Sequence, residues 1–166
     1  AQYEIERINV TDSFDHKAIL KYLLFNAQIA KANGQNEAVI QWLEDPLATE
    51  IDVTSKLGRD FLLAKGRTYI ALNQPESAIL TLAKITEHWS MDTQITLYED
   101  LWSALQKVNE QQLSVIAEDS TSYELRGWIE LARAFNSEET SIKKQLDAID
   151  QWKRTWVRHS AAARLP

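Results

Sequence analysis

Apolar residues recur at intervals of three and four along most of the chain, the spacing that places them on one face of an α-helix. The first such segment carries Leu20, Leu23, Leu24, Ala27 and Ala30, and Asp12, Ser13 and Asp15 precede it as candidate N-cap residues. The same spacing predicts about eight helices and no strand. The β-branched stretch "LATEIDVTS" at 47–55 has no partner strand, so we expect an extended linker there.

The stretch "GRTYIALNQPESAILTLA" at 66–83 predicts two helices joined by a tight turn. Asn73 stands where a helix-ending residue often adopts a left-handed conformation. Pro75 stands early in the following helix, where its missing N–H costs nothing. Pairing the other helices in the same way predicts an all-α array of about four helical hairpins.

The hairpin at 66–83 also carries the packing residues of a tetratricopeptide repeat. In that repeat a small residue lets two helices approach, a larger residue three positions later fills the gap, and an alanine faces both. Gly66, Tyr69, Ala78 and Leu82 have these types and spacings. In the first hairpin, with a turn one residue shorter, the corresponding predicted residues are Ala27, Ala30, Ala38 and Trp42; in the later hairpins they are Gly127 and Trp128. We therefore predict an irregular tetratricopeptide-like α-solenoid, with an unrelated antiparallel bundle as the alternative.

The chain has 166 residues, 45% of them hydrophobic, with only 4 Gly and 3 Pro, which fits one helical domain. We expect this domain to cover 1–166, with a short extended N-terminus at about 1–12 and a C-terminal linker at about 158–166. The net charge of −6 argues against a nucleic-acid partner. No stretch is long and apolar enough for a membrane span, and the absence of cysteine excludes disulfides.

No pattern in the sequence predicts catalytic, cofactor-binding or metal-ligating residues. His16, His88 and His159 are tens of residues apart, and none has a partner at the i, i+4 spacing of two ligands on one helical face. Adjacent acidic residues such as Glu138 and Glu139 point in different directions on a helix and are expected to be solvated. We therefore predict a protein that is not an enzyme. A hydrolase that uses paired carboxylates is the least favoured hypothesis.

Helical arrays commonly bind partners on the concave face, which is lined by the first helix of each hairpin. In the best-matching repeat, whose first helix is predicted at about 55–72, this face would present Asp60, Leu63, Arg67 and Ile70. A basic residue among apolar ones can receive a peptide carboxylate, so these four residues are the candidate partner-binding face.

The six tryptophans suggest an alternative function. Most of them have the helical phase of core residues, but Trp89 and Trp156 are less securely placed. A tryptophan left on the surface is a suitable platform for stacking on a sugar ring. The alternative to a scaffold is therefore a carbohydrate-binding module for peptidoglycan.

Longer motifs carry a resemblance to a known family. The segments "YLLFNAQIAKANGQNEAV", "LLAKGRTYIALNQPESAI", "LYEDLWSALQKVNEQQL" and "RGWIELARAF" are followed by "LDAIDQWKRTWVRHSAAARLP". In this order they resemble the amino-terminal domain of the LpoA family of bacterial outer-membrane lipoproteins, and the resemblance covers essentially the full chain. The family commonly has prolines around the final histidine, where this chain has Val157, Arg158 and Ser160.

The resemblance implies a function in cell-wall biogenesis and cell shape. LpoA proteins are periplasmic, tethered to the outer membrane by a lipid, and stimulate peptidoglycan synthesis by a class A penicillin-binding protein. In the family a carboxy-terminal domain tied to that synthase follows, and we expect this chain to correspond to the amino-terminal domain alone. The chain is thus expected to be a non-catalytic interaction domain of an enzyme regulator, serving as a docking module or as a spacer across the periplasm.

Overall fold

The structure, a computed structural model, describes residues 15–48, 51–86, 88, 95–119 and 122–136, together with positions 147, 149–151 and 154. In these residues the chain forms helices and no strand, which confirms the predicted all-α class. The helices are α1 (His16–Ala32), α2 (Asn36–Leu43), α3 (Lys56–Ala71), α4 (Pro75–Thr86), α5 (Ile95–Leu105), α6 (Glu110–Asp119) and α7 (Tyr123–Asn136).

The two terminal segments predicted as extended, 1–12 and 158–166, lie outside the described residues. Most of the predicted eighth helix does too, although its described positions, 147, 149–151 and 154, are helical.

The odd-numbered helices follow one another as neighbours along the array, from α1 to α3, α5 and α7. Helix α2 pairs closely with α1, and α4 pairs closely with α3. The third pair is more open, because α5 packs on α4 far more closely than on α6, and α6 packs on α7 and α4. The described helices therefore form an array with two tight hairpins at its start.

The turn between α3 and α4 has the predicted conformation. Asn73 is left-handed, with φ of 56°, and α4 begins at Pro75. The N–H of Gln74 donates to the carbonyl of Tyr69 at 2.8 Å, and that of Asn73 donates to Ile70 at 3.1 Å. These two bonds are the Schellman arrangement, which satisfies the last carbonyls of a helix.

The turn between α1 and α2 repeats this arrangement with a glycine at the left-handed position. Gly34 has φ of 72°, and the N–H of Gln35 donates to the carbonyl of Ala30 at 3.0 Å. The N–H of Gly34 donates to Lys31 at 2.9 Å. Gly34 and Asn73 are 39 residues apart, as are the first residues of α2 and α4, Asn36 and Pro75. The two tight hairpins therefore share one turn geometry at a fixed shift along the chain.

This shift relates buried positions of the two hairpins. Residues that are buried in both are paired as Ala27 with Gly66, Ala30 with Tyr69, Val39 with Ala78 and Leu43 with Leu82. In the second helix of the first hairpin, the repeat pattern predicts Ala38 and Trp42 at these positions. The structure instead places Val39 and Leu43 at the equivalent positions, and Ala38 and Trp42 lie one residue earlier and are partly buried. The predicted alignment assumes that the first turn is one residue shorter than the second. The two turns have equal length, so each equivalent position in α2 lies one residue later than predicted.

Helix α3 joins the two parts of the hydrophobic core. The smaller cluster lies between α1, α2 and the fully buried ring of Phe61. The larger cluster extends from Leu62 of the same helix through α4, α5, α6 and α7. Ile51, in the segment before α3, packs against both clusters. The core is therefore continuous through α3 from α1 to α7.

The segment before α3, predicted as an extended linker, contains turns and no strand in its described residues 47–48 and 51–55. The side chain of Asp52 accepts from the N–H of Thr54 at 2.9 Å, and Ser55 caps α3 by accepting from the N–H of Gly58 at 3.0 Å. A Cβ atom on Gly58 would lie 2.0 Å from the Asp52 carbonyl oxygen. Gly58 therefore allows this segment to turn back closely against the first turn of α3.

Candidate functional site

The closest contact between α3 and α4 is made at Gly66. A Cβ atom on Gly66 would lie 2.4 Å from Cδ2 of Leu82 and 2.6 Å from its Cγ. Leu82 is fully buried, as is Ala78 one turn earlier on α4. The glycine therefore sets the distance between the two helices, and the leucine fills the space that its missing side chain leaves.

We expect Gly66→Ala to lower the free energy of unfolding by about 1 to 2 kcal/mol. Overpacking a core typically costs about 1 to 3 kcal/mol, and the higher helix propensity of alanine recovers up to about 1 kcal/mol of this. Urea denaturation measures the change. Combining Gly66→Ala with Leu82→Ala supplies the control, because the clash then disappears and the two effects should be less than additive. Full additivity would contradict the contact.

Tyr69 connects the two tight hairpins through a partly buried polar contact. Its ring is only 7% exposed, and its hydroxyl donates a hydrogen bond to the carboxylate of Glu44, which follows α2. Burial raises the pKa of the Tyr69 phenol, and the hydrogen bond and charge of Glu44 raise it further. The ammonium of Lys65 lies 5.8 Å from the centre of the Tyr69 ring. Burial lowers the pKa of Lys65, against the opposing charge of Glu44.

A second tyrosine–glutamate contact joins α5 to α7. The Tyr98 hydroxyl donates to Oε1 of Glu124 at 3.2 Å, and burial followed by the charge of Glu124 raises the pKa of the Tyr98 phenol. The ring of Trp128 lies 5.6 Å from that of Tyr98 and 6.2 Å from that of Trp102. The predicted packing residue Trp128 is thus buried in an aromatic cluster, while the neighbouring Gly127 is partly buried.

The two raised tyrosine pKa values predict a loss of stability in alkali. A raised pKa means that the folded state favours the neutral phenol, so its contribution is fully present below the unfolded pKa of about 10 and is lost as pH rises above it. Urea midpoints measured from about pH 9 to about pH 11 should therefore fall. The fall should be smaller for the Tyr69→Phe, Tyr98→Phe double variant, and an equal fall in both proteins would contradict this origin.

The candidate partner-binding residues Asp60, Leu63, Arg67 and Ile70 all lie on α3 and are all partly buried. Leu63 and Ile70 pack against the larger core cluster. Nε of Arg67 lies 2.6 Å from Oδ2 of Asp100 on α5, with the two side chains 39% and 28% exposed. The arginine charge is therefore already paired, and this face contributes to the contact between α3 and α5.

The described residues show little that suggests catalysis. Among them, no three His, Asp or Glu side chains are grouped so that they could hold a metal ion. His16 is partly buried at the start of α1, His88 is exposed, and His159 lies outside the described residues. No helix in the described part of the chain is long and apolar enough to cross a membrane.

Comparison with known proteins identifies the family. Residues 2–166 match the sequence profile of the LppC lipoproteins. The chain belongs to the LppC family. Two relatives are each described as penicillin-binding protein activator LpoA. The relative from Haemophilus ducreyi is 25% identical over 147 residues, which are 89% of this chain and 25% of that protein.

The second relative, from Dickeya chrysanthemi, is 31% identical over 68 residues, which are 41% of this chain and 10% of that protein. The LppC-family chain thus spans a quarter or less of either relative. No solved structure matches it at a comparable level of significance. These comparisons support the resemblance to the LpoA family that the sequence motifs indicate.

The sequence did not predict several of the contacts that join the helices of this LppC-family chain. Glu44 and Tyr69 are 25 residues apart, and Arg67 and Asp100 are 33 apart, so no local pattern links either pair. Gly58 did have a detectable signal, because a glycine just inside a helix is unfavourable without a packing reason.

Proposed function

We propose that the chain is a non-catalytic scaffold domain of a lipoprotein regulator that stimulates peptidoglycan synthesis by a class A penicillin-binding protein. Membership of a lipoprotein family supports the envelope location. The two relatives named as penicillin-binding protein activators support the regulatory role. In this proposal the parent protein is periplasmic and tethered to the outer membrane by lipidation. A separate carboxy-terminal domain makes most of the contact with the synthase.

Of the two scaffold roles, the geometry favours a stiff spacer. The observation that carries this choice is the continuous core, in which α3 belongs to both hydrophobic clusters. Bending the array between the first and second hairpins would expose Phe61 and break the contact between Tyr69 and Glu44. The face predicted to bind a partner is partly used for packing as well, because Arg67 is paired with Asp100.

A stiff spacer acts through geometry. A flexible linker distributes its far end over a large volume, whereas a packed array holds it at a defined distance. The effective concentration of an attached domain at its target is highest when the connection matches the distance to be spanned. The array would thus raise the rate at which the activating domain meets its synthase.

Domain replacement in a full-length family member that carries this domain tests the spacer. One variant receives an unrelated rigid helical array of the same length, and the other receives a Gly/Ser linker with the same number of residues. Stimulation of glycan-strand synthesis by the synthase is measured for both. A spacer predicts that the rigid array preserves stimulation and the flexible linker reduces it. Loss of stimulation with both replacements would contradict a spacer and favour a docking module.

A charge swap tests whether Arg67 contributes to docking. Arg67→Glu removes both the positive charge and the ion pair, whereas Arg67→Glu combined with Asp100→Arg restores the pair with the charges exchanged. If the residue is structural, the double variant should recover stability and stimulation together. If a partner's carboxylate binds Arg67, the double variant should recover stability alone. A retained stimulation defect in the stable double variant would therefore locate a docking face.

The alternative role, peptidoglycan binding through exposed tryptophans, stays a prediction. The described tryptophans Trp42, Trp102 and Trp128 all take part in ring contacts. The candidates Trp89 and Trp156 lie outside the described residues. Blue-shifted tryptophan fluorescence on addition of soluble glycan fragments would support this role.

A further inference from the structure

The outward side of helix α1 carries exposed apolar side chains. Phe25 is 61% exposed and Ile29 is 46% exposed. At about 100° per residue, Phe25 points directly away from the buried side of the helix, which is formed by Leu20, Leu23, Ala27 and Ala30. A surface helix normally presents polar residues in this direction. The packing of α1 in the array therefore does not account for these two side chains.

One border of this exposed surface is formed within the chain. The ring of Tyr22 packs edge-to-face against Trp42 of α2, with 5.9 Å between the ring centres. Tyr22 lies about 60° around the helix from Phe25, on the same side as Ile29. Because Tyr22 already has an aromatic partner, Phe25 and Ile29 are the apolar residues that this surface offers to another molecule.

Lysine side chains border the apolar residues on the other side of Phe25. Lys21 and Lys17 lie within about 80° of Phe25 around the helix, and both are exposed. Lys31, in the last turn, is exposed too. The outward side of the helix is therefore divided lengthwise into an apolar half and a basic half. We call Lys17, Lys21, Phe25 and Ile29 the α1 face.

The charge of α1 is opposite to that of the whole chain. Helix α1 contains three lysines and no acidic residue, whereas the net charge of the chain is −6. Each of the other six helices in the described part of the chain contains at least one Asp or Glu. The adjacent acidic residue, Asp15, caps α1 by accepting from the N–H of Lys17 at 3.2 Å. Positive charge is thus concentrated on one helix, beside exposed apolar side chains.

We propose that the α1 face binds the surface of a bilayer that carries anionic phospholipid headgroups. A helix that lies on such a surface inserts its apolar side chains at the headgroup boundary, and its lysines contact the anionic lipids. Lysine suits this position because its apolar stem can follow the inserted side chains while its ammonium stays among the headgroups. Phe25 and Ile29 supply the apolar contact, and Lys17 and Lys21 supply the charge.

Charge favours a lipid surface over a second copy of the chain. Pairing two α1 faces would bring the lysines of both helices together without an acidic residue from either helix, and like charges disfavour such a contact. An anionic bilayer instead strengthens partitioning about fivefold for each lysine near its surface. The net charge of −6 opposes this approach only weakly, because physiological salt screens charges beyond about 8 Å.

This binding adds to the proposed function and does not depend on it. A lipid tether would hold the chain close to a bilayer and would raise the effective concentration of the α1 face at its surface. Binding to vesicles, however, needs neither the tether nor the synthase. A failure of the chain to bind vesicles is therefore distinguishable from a failure to stimulate the synthase.

Vesicle flotation tests the binding with the intact chain of 166 residues. One set of vesicles contains phosphatidylglycerol and phosphatidylethanolamine, and the other contains phosphatidylcholine alone. Lys17→Gln combined with Lys21→Gln removes two charges from the α1 face. The matched control, Lys84→Gln combined with Lys107→Gln, removes two exposed lysine charges elsewhere and changes the net charge equally. Circular dichroism verifies that each variant is folded.

The proposal predicts that the parent chain floats with the anionic vesicles and not with phosphatidylcholine, and that added salt weakens the binding. The Lys17→Gln, Lys21→Gln variant should bind about 25-fold more weakly, from a factor of about five for each lysine. The control pair should bind like the parent chain. No flotation with anionic vesicles would overturn the proposal, as would equal losses in the two lysine pairs.

The apolar half of the α1 face is tested in the same assay. Phe25→Ala should weaken flotation, whereas Phe135→Ala, which removes a ring that is 43% exposed on α7, should not. Equal flotation of Phe25→Ala and the parent chain would contradict insertion of this ring. If the chain does not float but self-associates in analytical ultracentrifugation, and Phe25→Ala abolishes the association, a second copy replaces the bilayer as the occupant.

An environment-sensitive dye locates the contact on the chain. Because the chain has no cysteine, Ile29→Cys can be labelled at a single position with a nitrobenzoxadiazole dye. The matched control is Val115→Cys on α6, where the native side chain is 58% exposed. Binding through the α1 face predicts brighter, blue-shifted emission from position 29, and not from position 115, when anionic vesicles are added. Equal changes at both positions would overturn the proposal even if the chain floats.

Discussion

Leu82→Ala is expected to lower the free energy of unfolding by about 3 to 5 kcal/mol, near the upper end of the range for buried leucines. The side chain of Leu82 is fully buried against Gly66. The cost of such a truncation depends on how well neighbouring groups can fill the cavity. A glycine has no side chain to contribute, and the α3 backbone is held by its own hydrogen bonds. The cavity should therefore remain largely open.

Leu80→Ala is the matched control, because Leu80 lies on the same helix and is 45% exposed. Truncation there removes a side chain that water already contacts, so we expect a change of less than about 1 kcal/mol. Urea denaturation followed by far-ultraviolet circular dichroism measures both variants. Equal destabilisation by the two substitutions would contradict the packing of α3 against α4 at Gly66.

The features predicted correctly from the sequence are those that nearby residues determine. Of the five apolar positions predicted for α1, Leu20, Leu23, Ala27 and Ala30 are buried in the structure, and Leu24 is partly buried. The left-handed Asn73 and the start of α4 at Pro75 were predicted because each residue type suits one backbone conformation.

The features that the sequence did not predict depend on how helices meet. The repeat pattern assigned Ala38 and Trp42 to the close contact of the first hairpin because it assumed a turn one residue shorter there, whereas the two turns are equally long and place Val39 and Leu43 at the contact. One residue rotates a helical position by about 100°, which is enough to change the residue that faces the core. The turn length itself became evident only from the hydrogen bonds at Gly34.

The candidate partner-binding face illustrates the same limit. The helical phase of Arg67 was sufficient to place it on a face of α3, but its partner Asp100 comes from another hairpin. Whether an arginine on such a face is free for a ligand depends on the distance and register between α3 and α5. Neither quantity is encoded in a short motif, so the pairing of Arg67 emerged only from the folded chain.

Phe61→Ala is expected to cost about 3 to 5 kcal/mol, since its ring is fully buried. The effect should also be localised. Phe61 is the buried residue through which α3 enters the cluster formed with α1 and α2, whereas the larger cluster begins at Leu62. The stability of a helical array is approximately a sum of unit stabilities and nearest-neighbour interfaces. Removing the ring therefore weakens the interface between the first hairpin and the remainder of the array.

Amide hydrogen exchange tests the localisation, because it reports the opening of separate parts of a structure. In Phe61→Ala, exchange should accelerate in α1 and α2, while α5 to α7 keep the rates of the parent chain. Phe135→Ala is a control of the same residue type, and because its ring is 43% exposed it should leave α1 and α2 unchanged. Uniform acceleration in every helix of Phe61→Ala would show that the array opens as one cooperative unit. That result would contradict the expected confinement of the effect to the interface between the first hairpin and the remainder of the array.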